Sequence, residues 1–300
     1  MKPYKGTIDQ LTFPKLASRK IDGIRCIKQG GRALTASLKP VPNRFIRETI
    51  ERSCAPDGFD GELVLAGAGW SFQDITSAVM SEDGKPPFLW LVFDQASQAP
   101  YHHRLSNILD WFETYGDNGV IRLLPVRYVW DKEIAQDVLD SHLAEGAEGV
   151  VFRDPNGAYK AGRSTLTDQG MFAVKPFVDS EARVLGFVEQ MHNTNPAFTD
   201  ERGLAKRSRS MDGLLGLGTL GTLHVQDCQS GEMFDIGTGF TSADRLHIWS
   251  NQSRYLGATC TYKFQRVTDG GKPRHPVFKG WRAAEDQTTT TTQQQKAQNK

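Results

Sequence analysis

The chain has 300 residues, which predicts two domains, and its 38% hydrophobic and 24% charged residues are ordinary for a globular protein. A formal net charge of +1 excludes an overall basic signature of nucleic-acid binding, so such a role must depend on local basic surfaces. The four cysteines are widely spaced and form no C-x-x-C pair, a pattern unlike a zinc site or a disulfide scaffold, and no apolar run approaches the ~20 residues of a membrane span. We therefore expect a soluble cytoplasmic protein. Separately, we expect a monomer.

Strand and helix patterns alternate in the first part of the chain. Apolar or alternating stretches predict strands over 17–20, 24–29, 32–38, 62–65, 88–93 and 149–152, with a hairpin turn at Gly30-Gly31. Helical spacing predicts helices that begin at Asn43 and that cover 72–80, 105–115 and 132–143. The mixture predicts an α+β domain over residues 1–178.

Short strands with frequent glycines follow from residue 179 onward. They are expected over 183–189, 220–225, 233–236, 259–265 and 277–281, with one helix over 242–255. Five short strands and one helix are typical of a small β-barrel of the OB-fold type, which we place at 179–286. The threonine- and glutamine-rich stretch 287–300 lacks apolar residues and is expected to be a disordered tail.

The six residues from Lys20 to Arg25 place a lysine beside a carboxylate, a glycine and an arginine. A lysine can attack a phosphate only as the neutral amine, and since the reference pKa of lysine is near ~10.4, such a site must favour that form through burial and nearby cations. The alternative for so short a pattern is a surface turn between two strands.

Two glutamates, Glu62 and Glu148, are each expected at the start of a strand, and together they fit the oxygen ligands that Mg²⁺ prefers. Phe93 ends an apolar run, where its ring is suited to stacking on a purine, and Lys175 follows an apolar strand, where its ammonium is suited to a phosphate. For each residue taken alone, a structural role is the alternative: a capped strand end for the glutamates and a core position for Phe93.

Taken in order, these segments resemble the nucleotidyltransferase motifs of the covalent lysyl-nucleotidyl transferases, specifically the small ATP-dependent DNA ligases of phages and large DNA viruses. The resemblance covers nearly all of residues 12 to 286. It includes the segments 20–25, 38–43, 60–62, 72–73 with 76–80, 93–94, 148–153, 159–160 with 162–165, and 174–177, and in the second domain 220–223, 236–240 and 273–278 with Arg282. The second-domain segments separate ligases from their relatives.

The resemblance implies an adenylation domain, an OB domain and a three-step reaction that uses ATP and Mg²⁺ to seal nicks in double-stranded DNA. Lys20 attacks the α-phosphate of ATP to form lysyl-AMP, AMP moves to the 5′-phosphate of the nick, and the 3′-hydroxyl then displaces AMP. If a phage encodes the chain, the reaction takes place in the host cytoplasm.

Residue roles are carried over by the same resemblance. It implies catalytic roles for Lys20 and Asp22, nucleotide contacts from Arg19, Arg25, Glu62, Phe93, Lys175, Arg274 and Arg282, a metal site at Glu62 and Glu148, and DNA contacts from Lys39, Lys160, Arg163, Lys206, Arg207 and Arg209. Within these sets, Phe93 is expected to stack on adenine, Lys175 to contact the AMP phosphate, and the two C-terminal arginines to orient pyrophosphate.

Two positions depart from the family pattern. Ala36 stands where relatives usually carry an arginine that contacts the nick, and Ala173 stands where they usually carry the first of two phosphate-binding lysines. Either both alanines are natural, with compensation from Lys39, Lys160 or Arg163, or they were engineered.

The long polar segment 193–216 is interpreted as a DNA-contacting insertion, with a solvated surface loop as the alternative. We expect it to be mobile without DNA, since its cations have no obvious intramolecular partners. Other functions that remain open are an RNA ligase, an mRNA-capping nucleotidyltransferase and a non-catalytic nick binder.

Overall fold

The computed structural model describes residues 1–67, 69–117, 119–268 and 270–282, and the chain divides into two compact units between Pro176 and Phe177. The expected tail at 287–300 lies outside the described residues. Among the residues that are described, no helix combines the length and apolarity needed to cross a membrane. All four cysteines are free thiols.

The described residues of the first unit form ten strands and four α-helices. The strands are β1 (Tyr4–Gly6), β2 (Lys15–Arg19), β3 (Ile24–Gln29), β4 (Arg32–Thr35), β5 (Phe59–Leu65), β6 (Phe88–Gln95), β7 (Ile121–Leu123), β8 (Val126–Val129), β9 (Val150–Arg153) and β10 (Met171–Val174). The helices are α1 (Arg44–Arg52), α2 (Phe72–Met80), α3 (Tyr101–Tyr115) and α4 (Lys132–Ala144). Two five-stranded sheets result, in the orders β1-β10-β9-β2-β8 and β4-β3-β5-β6-β7.

Local sequence explains the helix starts. At α1 the side chain of Asn43 accepts a hydrogen bond of 2.9 Å from the Ile46 amide, as a helix N-cap does, and Ile46 and Ile50 are fully buried one turn apart. Ser71 caps α2 in the same way. The predicted α+β class is confirmed: in the described part of the first unit the strand pairs are mainly antiparallel, and β1–β10 and β6–β7 are parallel.

The sheet that contains β2, β9 and β10 brings three distant segments to one edge. Arg19 and Val174 both pair with Val150, so the residues that follow β2 and β10 lie beside the residues that precede β9. Gly149, at φ 150°, must be a glycine, because an ideal Cβ there would lie 2.2 Å from the Val174 carbonyl oxygen. This close approach positions Lys20, Glu148 and Lys175.

The second unit holds a five-stranded sheet with the order β15-β14-β11-β16-β17. Its elements are β11 (Val178–Asn193), β12 (Ala197–Thr199), β13 (Ala205–Arg207), β14 (Leu214–Asp227), β15 (Met233–Ile236), α5 (Ser242–Ser250), α6 (Gln252–Tyr255), β16 (Thr259–Phe264) and β17 (Val277–Trp281). A parallel bridge between Thr238 and Val277 links the two edges of the sheet. The expected single helix over 242–255 is instead two helices, since the backbone leaves helical geometry at Asn251 (ψ 37°).

Candidate active site

Glu148 is the centre of the site in the first unit. Its carboxylate accepts a hydrogen bond from the Lys20 ammonium at 2.5 Å and a second one from the Lys175 ammonium. The side chain of Glu148 is only 5% exposed, against 21% for Lys20 and 10% for Lys175. The structure therefore brings together three of the residues that the sequence singled out, with one buried carboxylate between two cations.

The charges in this cluster change one another's protonation. Burial alone would raise the pKa of Glu148, but the charge of Lys20 and the hydrogen bonds from both lysines outweigh it and lower the pKa. Burial and the charge of Lys20 lower the pKa of Lys175 to about 8, against the opposing effect of Glu148. The Lys175 ammonium therefore loses its proton more readily than an ordinary lysine does. A phosphate oxygen bound beside it would stabilise the charged form.

Glu62 faces the same lysine from the other sheet. It is the register partner of Arg25 between β5 and β3. Burial raises the pKa of Glu62 to about 8, and Asp60 and Asp22 add to this, whereas Lys20 and Arg25 oppose it. At neutral pH this carboxyl is therefore largely protonated unless a further cation binds beside it.

Arg25 is held by hydrogen bonds to residues that the sequence analysis did not predict as part of the site. Its guanidinium donates to both carboxylate oxygens of Asp60, with Nε at 2.8 Å, and also to the Tyr159 hydroxyl at 2.9 Å and the Met1 carbonyl. Tyr159 in turn donates to Asp60 at 2.9 Å. Although burial opposes it, Asp60 raises the pKa of Arg25, so the arginine is a fixed cation at the site.

Phe93 lies in a second ionic network. Its ring is 8% exposed, and the Arg153 guanidinium lies 4.9 Å from the ring centroid. Arg153 donates to the Ser18 hydroxyl at 3.1 Å, and the adjacent Asp94 accepts from Arg104 at 2.7 Å. A cation thus covers one face of the ring that we expect to stack on adenine. In the sequence, the one sign of this contact is Arg153, the last residue of the 148–153 segment.

The remaining candidates of the first unit have other partners or are exposed. Arg19 donates to the Glu145 carbonyl at 3.1 Å, Lys160 pairs with Asp168 at 2.6 Å, Arg163 donates to the Pro3 carbonyl at 2.8 Å, and Lys39 is exposed. Of the two alanines that depart from the family pattern, Ala36 is exposed. Ala173 is 1% exposed and packs against Met1, Val151 and Met171.

In the second unit, Arg282 donates to the Glu181 carboxylate, and the backbone of Arg274 bonds to Arg266 at 2.8 Å.

The expectation that the cations of 193–216 lack intramolecular partners is wrong. Lys206 lies 3.4 Å from the Asp200 carboxylate, and Arg207 donates to the Asn195 carbonyl. The segment contains an antiparallel hairpin, β12–β13, because Asp200 also accepts from the turn amides of Arg202 and Leu204.

Comparisons with known proteins agree with this architecture. Residues 217–282 match the family model described as the DNA ligase OB-like domain. A DNA ligase of Haemophilus influenzae is 26% identical over 275 residues, which cover 88% of this chain and 85% of that protein. A DNA ligase of Enterobacteria phage T3 is 27% identical over 158 residues, and this match spans 53% of the chain but only 40% of the phage protein.

Among solved structures, the Chlorella virus DNA ligase-adenylate is 29% identical, with a TM-score of 0.53, and the match covers 95% of this chain and 99% of that one. The match therefore includes both units. Residues 217–282 thus match a DNA ligase OB-like domain, and the chain as a whole is similar to DNA ligases.

Proposed function

We propose that the chain is an ATP-dependent DNA ligase that seals nicks in duplex DNA through a lysyl-AMP intermediate. The observation that carries this proposal is the Glu148 carboxylate held between Lys20 and Lys175, in a chain whose second unit matches a ligase OB-like domain. A lysine nucleophile beside a phosphate-binding lysine is what transfer of a nucleotide to the protein requires. In this proposal residues 1–178 are the adenylation domain and 179–286 the OB domain.

In the first step the neutral amine of Lys20 attacks the α-phosphate of ATP and pyrophosphate leaves. The phosphate oxygens take the place of Glu148 as partners of Lys175, which stabilises the negative charge that develops on them. Phe93, with Arg153 behind its ring, supports adenine, while the fixed Arg25 and the half-buried Glu62 meet the ribose. Arg19 contributes a further nucleotide contact, and Arg274 and Arg282 orient the pyrophosphate.

The second and third steps take place on DNA. AMP moves to the 5′-phosphate, and Asp22 then helps to position the 3′-hydroxyl that displaces it. Lys39, Lys160, Arg163, Lys206, Arg207 and Arg209 neutralise backbone phosphates, an interaction that carries no sequence information and suits an enzyme that seals any nick. The same proposal makes the enzyme a monomer that works in the cytoplasm, or in that of the host if a phage encodes it.

Magnesium fits the residues present. Among the described residues no group of three or more histidine, cysteine, aspartate or glutamate side chains is placed to hold a metal, but Mg²⁺ is commonly bound by one or two carboxylates together with substrate phosphates and water. Glu62 and Glu148 both lie within the electrostatic reach of Lys20, and an added cation would favour ionised Glu62. When bound, Mg²⁺ would neutralise phosphate charge and align the leaving group.

Two assays test the proposal. Incubation with ATP and Mg²⁺ should add the mass of one AMP to the protein, and GTP should not replace ATP. A nicked DNA duplex should then be sealed, whereas a nicked RNA duplex should be a poor substrate. Labelling by GTP, or sealing confined to RNA, would favour a capping enzyme or an RNA ligase instead.

A further inference from the structure

Strand β1 places Lys5 beside Ala173. The two strands β1 and β10 are parallel, and their register pairs Lys5 with Ala173 and Tyr4 with Phe172. The rings of Tyr4 and Phe172 pack on one face of the sheet with centroids 5.3 Å apart. Since side chains alternate along a strand, Lys5 and Ala173 lie on the opposite face, and Lys175, two residues beyond Ala173, follows on that same face.

The charge of Lys5 reaches the active-site cluster. After burial and Lys20, Lys5 is among the positive charges that act on the Lys175 ammonium. Within the described part of the chain, no carboxylate forms an ion pair with Lys5, and its side chain is exposed. Ala173, by contrast, is closed off by Met1, Val151 and Met171 and carries no charge. The sheet thus directs one uncompensated cation toward the site from a neighbouring strand.

We propose that Lys5 is a phosphate-binding residue of the nucleotide site, which supplies from β1 a positive charge that Ala173 on β10 does not provide. Lys5 holds the triphosphate of ATP together with Lys175, and it acts on nucleotide binding more than on the rate of the chemical step. This inference rests on the proposed function, because it assumes that ATP binds at Lys20.

The test is single-turnover adenylation of Lys20, measured over a range of ATP concentrations without DNA. Lys5→Gln should raise the apparent Kd for ATP by about threefold to tenfold, between the effect of a screened surface charge and that of a charge-assisted hydrogen bond. The rate at saturating ATP should change less. Lys2→Gln is the matched control, since it removes an equal charge from the same segment, and its Kd should stay within about twofold of the parent.

Lys5→Arg keeps the charge and should restore the parent Kd, whereas a merely structural role for the side chain would not give this rescue. The double variant Lys5→Gln with Ala173→Lys moves the charge from β1 to the neighbouring strand β10. It should recover part of the affinity for ATP, provided that the new side chain displaces Met1. Thermal unfolding of each variant checks that the fold is retained.

A Kd for Lys5→Gln equal to that of Lys2→Gln would overturn the proposal, and so would failure of Lys5→Arg to restore binding. These outcomes are distinct from failure of the proposed function, in which the unaltered protein would not be labelled by ATP at all.

Discussion

Two basic regions of the chain hold their cations in different ways. At the edge of the first sheet, Lys20 and Lys175 share one buried carboxylate, so both ammonium groups are fixed before any substrate binds. In the β12–β13 hairpin every strand residue is exposed, and among the described residues Lys206 and Arg207 each have one polar partner. Fixed geometry suits phosphoryl transfer, whereas exposed charge suits binding to a DNA backbone whose sequence is not read.

Removal of the nucleophile should have the largest effect. Lys20→Ala should abolish the addition of AMP, since no other amine would occupy the same position between Glu148 and the entering phosphate. The measurement is intact-protein mass after incubation with ATP and Mg²⁺, followed by peptide mapping. Lys132→Ala, on the exposed face of α4, should label normally. A label on another lysine of the parent protein would contradict the assignment.

Loss of the shared carboxylate should come next. In Glu148→Gln two ammonium groups would lie together without a neutralising charge, which we expect to lower the free energy of unfolding by about 1–3 kcal/mol and to slow adenylation at least tenfold. Urea denaturation and single-turnover labelling measure the two effects. Glu113→Gln, an equal charge change at an exposed position of α3, is the matched control. Unchanged stability in Glu148→Gln would show that the cluster is not held by this carboxylate.

The sequence predicts the parts of the site that are local. The segment from Lys20 to Arg25 carries its chemistry in six neighbouring residues, and Glu148 and Lys175 follow from the order of the motifs. That one carboxylate bonds both lysines depends on the pairing of β2, β9 and β10, which no local pattern specifies.

Interactions between distant residues escape sequence prediction for the same reason. Asp60 and Tyr159 bond across 99 positions, and no local signal gives either a role. Strand β1 has three residues, too few for an alternating pattern, so the sequence does not identify Lys5 as a neighbour of Ala173. The hairpin within 193–216 reads as a loop because its polar strands bury no face, and a half-buried face is the usual signal of a strand.

The pH dependence of stability should next reveal Glu62, in an effect that appears only when the pH is varied. Its pKa is raised in the folded chain from an ordinary value of 4.5 to about 8, so the folded chain keeps a proton that the unfolded chain releases. The stability that this gives is complete below pH 4.5 and is lost as pH rises through 8, at up to ~1.4 kcal/mol per pH unit.

Glu62→Gln removes this titration. The free energy of unfolding of the parent, minus that of the variant, should therefore fall between about pH 5 and 8, as measured by urea denaturation. Saturating Mg²⁺ should flatten the fall if the cation binds ionised Glu62. A difference that is constant with pH would contradict the raised pKa.

The hairpin should give the smallest effect, and one visible only with DNA. Neutralising Lys206, Arg207 and Arg209 should weaken binding to every nicked duplex equally and reduce the slope of log K against log salt, by ~0.9 for each DNA phosphate that the variant no longer neutralises. Because a phosphate must compete with Asp200 for Lys206 and with the Asn195 carbonyl for Arg207, we expect these side chains to neutralise phosphates only partly, and the slope to fall by about 1–2.

Arg209→Gln alone tests that reasoning. Neither an ion pair nor a hydrogen bond joins Arg209 to the other described residues, so it should account for the largest single share of the slope. Lys272→Gln, an equal charge change elsewhere in the second unit, serves as the control. If the triple variant kept the parent's salt dependence, the hairpin would not touch phosphate, and the buried cluster at Glu148 would be the only one of the two regions with a role in the reaction.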